Sequence, residues 1–315
     1  MPKFLPILLV VLALGYGGYW FVGRGIVEGA ARDLIEEADA GPLSIRYEAL
    51  DTVGFPSRFD TTITGVEIAA EGGSWFWAAP FLQVFQLSYN PTRAIVVWPE
   101  RQELAVGRTE IVLMTEGMRA SLDVGLGAEI PLRSATLETG PVTAALAHGT
   151  DFAMARGLFA LREAGEETAY DVFAEAQGVT LPVHMRPASM GADADQPITL
   201  RIDGTATLEG PITIRGPEAP TLRHLDIRDA TIRWGELELS ASKRVTGDAP
   251  DPEADVMVIR FSDFHAILEA AEAVGLVPTE QVAMARAGWS DRVADDGSLE
   301  MELPLMFFVP VLIAE

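Results

Sequence analysis

From Phe4 to Val22 the chain reads FLPILLVVLALGYGGYWFV without a charged residue. This run approaches the roughly 20 apolar residues that carry a helix across a hydrocarbon core, and no other segment restricts the fold as strongly. The rival explanation is a secretory signal, whose apolar stretch is about 7–15 residues long and ends in a small-x-small cleavage pattern. Here the stretch is longer and closes on Tyr16, Tyr19, Trp20 and Phe21, ring side chains suited to a membrane–water boundary. The cleavage-like pattern Gly29-Ala30-Ala31 follows several residues after the apolar end. The segment therefore reads as an uncleaved single-pass anchor. Lys3 precedes it while Arg24 and Arg32 follow it, so flanking positive charge leaves the orientation open. The short head and the Lys-poor body favour a main domain outside the cytoplasm. Ala13 with Gly17, and Gly25 with Gly29, form small-xxx-small pairs that permit close helix approach, although small residues also sit in lipid without a partner.

Past the span, Ile26 to Ala38 continues as a polar helix to a stop at Gly41-Pro42. This divides the chain into an anchor with a short cytoplasmic head (1–25), a juxtamembrane helix (26–41) and a β-rich domain (42–315). In that domain, short alternating runs are cut by Gly, Pro and Asp. Phe59 to Ile63 alternates, Gly65 shifts the phase, and Val66 to Ile68 resumes, the sequence form of a bulge or turn. Leu82 to Tyr89, Ala94 to Trp98, Thr109 to Met114 and Met118 to Val124 read as strands, broken at Asn90-Pro91, Trp98-Pro99 and Gly117. Ala135 to Thr143 is echoed by Ala206 to Thr213, each predicting strand, Gly-Pro turn, strand, and raising the option of two related halves. Asp151 to Ala164 is ambiguous between helix and strand, and Gly191 to Gln196 reads as a polar loop. Further strands fall at Ile198 to Leu208, Thr221 to Ile227, Thr231 to Trp234 and Leu237 to Ala241. A helix capped by Ser262 or Asp263 runs to Gly275, and a second spans Thr279 to Ala287 after Pro278. A closing strand begins at Leu299 and enters an apolar run from Met306 to Ile313. The expected fold class is mainly β (α+β): an N-terminal transmembrane helix, then a large twisted antiparallel sheet or half-barrel with a few helices, including a C-terminal pair.

The formal net charge is −23. Phosphate backbones are bound by clustered Lys and Arg, and this chain has only Lys3 and Lys243 as lysines, so nucleic acid is not an expected partner. The absence of cysteine removes disulfides, thiolate nucleophiles and Cys-based zinc sites.

Several segments together resemble the alphaproteobacterial domain of unknown function family 2125. They are Gly54-Phe55-Pro56-Ser57-Arg58-Phe59-Asp60, Trp77-Ala78-Ala79-Pro80 with Tyr89-Asn90-Pro91, Ala230 to Ser242, and Asp296-Gly297-Ser298-Leu299. The resemblance covers most of the chain after the anchor and implies a cell-envelope setting, but no catalytic residues. Lys243 stands where the family's Gly is expected, and Phe308-Val309-Pro310 departs from its usual Gly-Pro ending. Anchor plus repetitive amphipathic strands also looks like AsmA-type envelope proteins, whose β-grooves are associated with lipid; that likeness is architectural.

No G-x-S-x-G elbow, Walker A loop or H-E-x-x-H helix occurs, so no catalytic residue is assigned, no enzyme activity is expected and no cofactor is implied. Gly23-Arg24-Gly25 follows a span rather than a strand and is discounted as a dinucleotide fingerprint. His148, His184, His224 and His265 lack metal-ligand spacing, and Asp248 to Asp255 reads as a solvated acidic loop. The aromatic concentration of Trp75, Trp77, Phe81, Phe85, Tyr89 and Trp98 has two readings: ordinary core between sheet and helix, or the lining of an apolar groove. On the second, the protein is a bacterial inner-membrane protein with its main domain in the periplasm, binding a lipid or other hydrophobic envelope component. The alternative is an assembly factor that offers sheet edges or a C-terminal apolar strand, with Phe307, Phe308, Val309 and Val311, to another envelope protein.

Overall fold

The computed structural model describes residues 4–146, 151–215, 220–244 and 256–304. One helix, α1 (Phe4–Asp39), contains both the apolar run and the polar segment after it. It closes before Gly41-Pro42, where Ala40 N–H donates to Glu36 O and Gly41 N–H to Ala38 O. The chain then forms two compact units, the first holding α1, the strands as far as Thr139 and the segment around Thr213, the second most of the remainder.

In the first unit the strands are β1 (Leu43–Arg46), β2 (Ala49–Val53), β3 (Arg58–Ala70), β4 (Trp75–Leu87), β5 (Asn90–Val97), β6 (Arg101–Val106), β7 (Thr109–Thr115), β8 (Arg119–Val124) and β9 (Leu132–Thr139). β1 and β2 pair in turn along one edge of β3, and β4 along the other, all antiparallel. β4 is long enough to fork: its N-terminal part pairs with β6, which continues to β7, and its C-terminal part with β5, which continues to β8 and β9. At the fork Gln102 is buried, and its polar atoms are satisfied locally. Trp77 Nε1 donates to its Oε1 (3.0 Å), and its Nε2 donates to Thr115 Oγ1 (3.3 Å) and Pro99 O (3.4 Å). β6 was not anticipated from sequence, since its pattern RQELAV offers little alternation.

The turn or bulge expected at Gly65 does not interrupt β3, which keeps one register with β4 through this point. Thr64 faces Phe81 and Val66 faces Ala79, leaving Gly65 and Pro80 unpaired opposite one another. Phe59, Asp60 and Thr61 are buried before this point and Val66 after it, so β3 buries residues of both its sides. Gly65 takes φ +60°, and a Cβ there would lie 2.5 Å from Glu48 Cγ, so glycine is needed for both conformation and space.

After β10 (Val142–Leu146), the second unit contains β11 (Asp151–Met154), β12 (Arg156–Ala164), β13 (Glu166–Val179), β14 (Ile198–Leu208), β15 (Leu222–Trp234), β16 (Leu237–Arg244), β17 (Val256–Phe261), the helices α2 (Phe264–Ala273) and α3 (Thr279–Trp289), and β18 (Leu299–Pro304). From β12 to β18 each strand pairs antiparallel with the next, a meander built from near neighbours in sequence. The ambiguous segment 151–164 is thus strand. Asp263 caps α2, its Oδ1 accepting from Ala266 N–H (2.9 Å), and Gly275 at φ +77° follows its end. Ile198, Trp234, Ala194 and Ala270 form a core between sheet and α2.

Two local expectations are corrected. Residues 191–196 are mostly a 3₁₀ helix (Ala188–Asp195) kinked at Gly191, not an open loop. The echoed segments do not form the same hairpin: the first gives β9, a Gly-Pro turn and β10, whereas in the second the residues just after the Gly-Pro pair form no strand, Thr213 making an isolated bridge to Pro131, and β14 pairs instead with β15 farther on.

Candidate functional site

The polar segment of α1 lies along the first unit's sheet. Glu28 Oε1 accepts from Thr52 N–H (3.1 Å) and Arg24 Nε (3.0 Å), while Arg24 also reaches Asp51 (2.7 Å). Burial pushes the Glu28 carboxyl up, but these hydrogen bonds and the charges of Arg24 and Arg32 outweigh it and hold it below its ordinary range. Gly23 lets helix and sheet approach, since a Cβ there would sit 2.7 Å from the Phe59 ring. The rings expected to meet lipid headgroups are partly engaged by protein. Trp20 is 3% exposed and donates through Nε1 to Arg58 O (2.9 Å); the hydroxyls of Tyr16 and Tyr19 donate to Pro56 O (3.0 Å) and Ser88 O (2.5 Å).

The six aromatics singled out from sequence are not gathered into one groove. Trp77 is tied into the Gln102 network, on a row with Ile68 and Leu104. Trp75 stands beside Val106 at the start of β4, and Trp98 closes β5 with its N–H donating to Met118 O. Phe81 faces Thr64. Phe85 lies under the Arg58 guanidinium and lines, with Arg93, Ile95 and Leu122, an open cavity of about 580 Å³. Tyr89 projects from the β4–β5 turn. Phe307, Phe308, Val309, Val311 and the loop Asp248 to Asp255 lie outside the described residues.

The second unit carries a more continuous arrangement. Directly paired residues of an antiparallel sheet point to the same side, so the registers define rows across seven strands. One row is Phe159, Ala174, Ile202, Ala230, Ala241, Ile259 and Met301. Its neighbour is Gly157, Ala176, Leu200, Ile232, Leu239, Phe261 and Leu299. Every side chain in both is apolar or absent. The adjacent row on the same side, Ile198, Trp234 and Leu237, belongs to the core under α2. The second row partly joins that core, with Leu200 packed on it, Phe261 edge-on to Phe264 of α2 and Leu299 buried; away from the helix the surface is open, and Phe159, Ile202 and Ile232 are 41%, 47% and 40% exposed. Alanines and a glycine alternate with bulkier residues, which leaves a floor of low relief. At six steps of about 4.8 Å the first row extends roughly 29 Å.

The reverse side of the same strands is more polar, although Leu158, Phe173 and Val258 also stand on it. Glu175, Arg201, Thr231, Ser240, Arg260 and Glu300 form a single row there. Nearby, Arg228 bridges Asp171 (2.9 Å) and Asp203 (2.5 Å), and with Thr205 it holds the Asp171 carboxyl below its usual range. Arg228 is thus shared between two carboxylates. Among the described residues no cluster of three or more His, Asp or Glu has the geometry of a metal site.

The exposed rows were missed because their signal is split among strands. The alternation of Ile198, Leu200 and Ile202, or of Leu237, Leu239 and Ala241, marks one apolar side per strand, but only the register joins them.

A family model described as "Uncharacterized protein conserved in bacteria (DUF2125)" matches residues 20–307, and the chain belongs to this family. No curated protein and no solved structure matches it.

Proposed function

We propose that this member of the family is a membrane-anchored periplasmic protein that binds an acyl chain or similar hydrophobic envelope component against the open apolar rows of its second unit, and that it acts by binding rather than catalysis. α1 is long and apolar enough to cross a bilayer. The observation that carries the reading is the pair of apolar rows, exposed at Phe159, Ile202 and Ile232. An exposed contiguous apolar surface on a folded protein marks an interaction site. A hydrocarbon core of about 30 Å holds two acyl layers, so one extended chain covers about half a row. Each methylene removed from water contributes up to about 0.8 kcal/mol, and the tether keeps the site at high local concentration of membrane lipid.

The test places a photo-crosslinking phenylalanine analogue at Ile202, Ile232 or, on the reverse side, Thr231, in the full chain expressed in a bacterial envelope. Lipid-mass adducts at positions 202 and 232 with none at 231 are the expected result. Adducts of equal yield on both sides, adducts with protein alone, or no adducts overturn the reading; protein adducts would redirect it to assembly by protein contact.

A further inference from the structure

The tip of the first unit's sheet stands beside the apolar run of α1, not beyond it. Tyr16 and Tyr19 lie within that run, yet their hydroxyls reach Pro56 O and Ser88 O, so the turn between β2 and β3 and the β4–β5 hairpin flank residues 16–21 of the helix. Phe55 confirms the level, stacking at 6.3 Å from Phe21 and edge-on at 5.5 Å from Trp20. Charge does not return until Arg24. At about 1.5 Å per residue, Tyr16 lies roughly 9 Å below the apolar end at Val22. The run from 4 to 22 is only about 28 Å long by the same rise, slightly short of the roughly 30 Å of hydrocarbon, so α1 cannot be lifted to keep the tip in bulk water.

The side chains at this level are those that a boundary would select. Phe55 is 57% and Tyr89 71% exposed, and Val53, Leu87 and Phe21 are exposed beside them. Several of the turns' main-chain groups are already occupied: Ser88 N–H donates to Ser57 O, Arg58 N–H to Gly54 O, and α1 supplies donors to Pro56, Arg58 and Ser88 carbonyls. These bonds lower the cost of bringing the turns to the headgroup boundary, where the remaining polar groups still meet water.

We propose that these two turns form a foot that enters the headgroup–acyl boundary of the leaflet from which α1 emerges, with Phe55 and Tyr89 as its inserted side chains. The partner is the lipid surface itself. The inference rests on α1 being a membrane anchor, but not on lipid binding by the second unit.

The chain has no cysteine, so single-cysteine variants label cleanly. Phe55→Cys and Tyr89→Cys report the foot, Leu12→Cys the anchor, and Ser74→Cys the far end of β4. Each full-length variant is labelled with an environment-sensitive fluorophore and reconstituted in phosphatidylcholine vesicles carrying spin-labelled quencher lipids, shallow or deep. Expected are several-fold stronger quenching at positions 55 and 89 than at 74, with the shallow quencher most effective, and deep quenching at 12. Quenching at 12 with positions 55 and 89 no different from 74 overturns the foot and leaves the anchor standing. No quenching at 12 overturns the anchor, and the foot with it.

Discussion

Glu28 shows how one residue can hold a helix to a sheet. Its carboxylate joins the Arg24 guanidinium to the Thr52 amide, so Glu28→Gln is expected to cost about 1–3 kcal/mol, the range for a hydrogen bond to a charged group, as measured by chemical denaturation in detergent. Its pKa is lowered by folding; the stabilisation is thus complete above the unfolded value of about 4.3 and is lost as pH falls through the lower folded value. An acid titration should show this loss in the parent and not in the Gln variant. Gln102 has the complementary role, because its neighbours depend on it: Gln102→Leu strands the Trp77 indole N–H and is expected to lower stability by about 1–3 kcal/mol, whereas Trp77→Phe, which removes the donor as well, should cost less. Neither role is written in the sequence. A Glu four residues after an Arg predicts a surface pair on a helix, and nothing local distinguishes Gln102 from a solvated glutamine.

At the scale of elements, helix limits were largely legible. Gly41-Pro42, Asp263, Gly275 and Pro278 are strong local punctuation, and each acts where its chemistry predicts. Strands with alternation, such as β14 and β16, were legible too. β6 and β13 were not, and the aromatics of β4 could be found but not assigned to a side, because the neighbouring β3 buries residues of both sides, Phe59 and Thr61 on one, Asp60 and Val66 on the other. Replacing Gly65 with Val is expected to break β3 at this point, through both the positive φ and the contact with Glu48, lowering the melting temperature by several degrees. Gly23→Leu tests the helix contact. It should weaken packing of α1 on Phe59 while leaving the apolar run intact, seen as faster hydrogen exchange at Thr52 and Thr61 without loss of membrane association.

For the molecule as a whole, acidic residues outnumber basic ones 46 to 23. Many of the arginines are already matched to carboxylates, among them Arg93, Arg119, Arg228 and Arg260, so the excess negative charge repels itself. Raising ionic strength from about 0.01 M to 0.15 M shortens the screening length from roughly 30 to 8 Å; the melting temperature should rise over that interval, and an unchanged value would mean that the surplus acids are too widely spaced to interact. The charge excess was readable from composition, while the apolar rows depend on registers among seven strands and could not be. A last consequence follows from the continuity of α1. If α1 spans a bilayer, a helix that is also fastened to β2 and β3 by Trp20, Arg24 and Glu28 has no swivel at the surface. If a thicker or thinner membrane changes the helix's tilt, the first unit must lean by the same angle, and bilayer thickness becomes a mechanical input to the sheet.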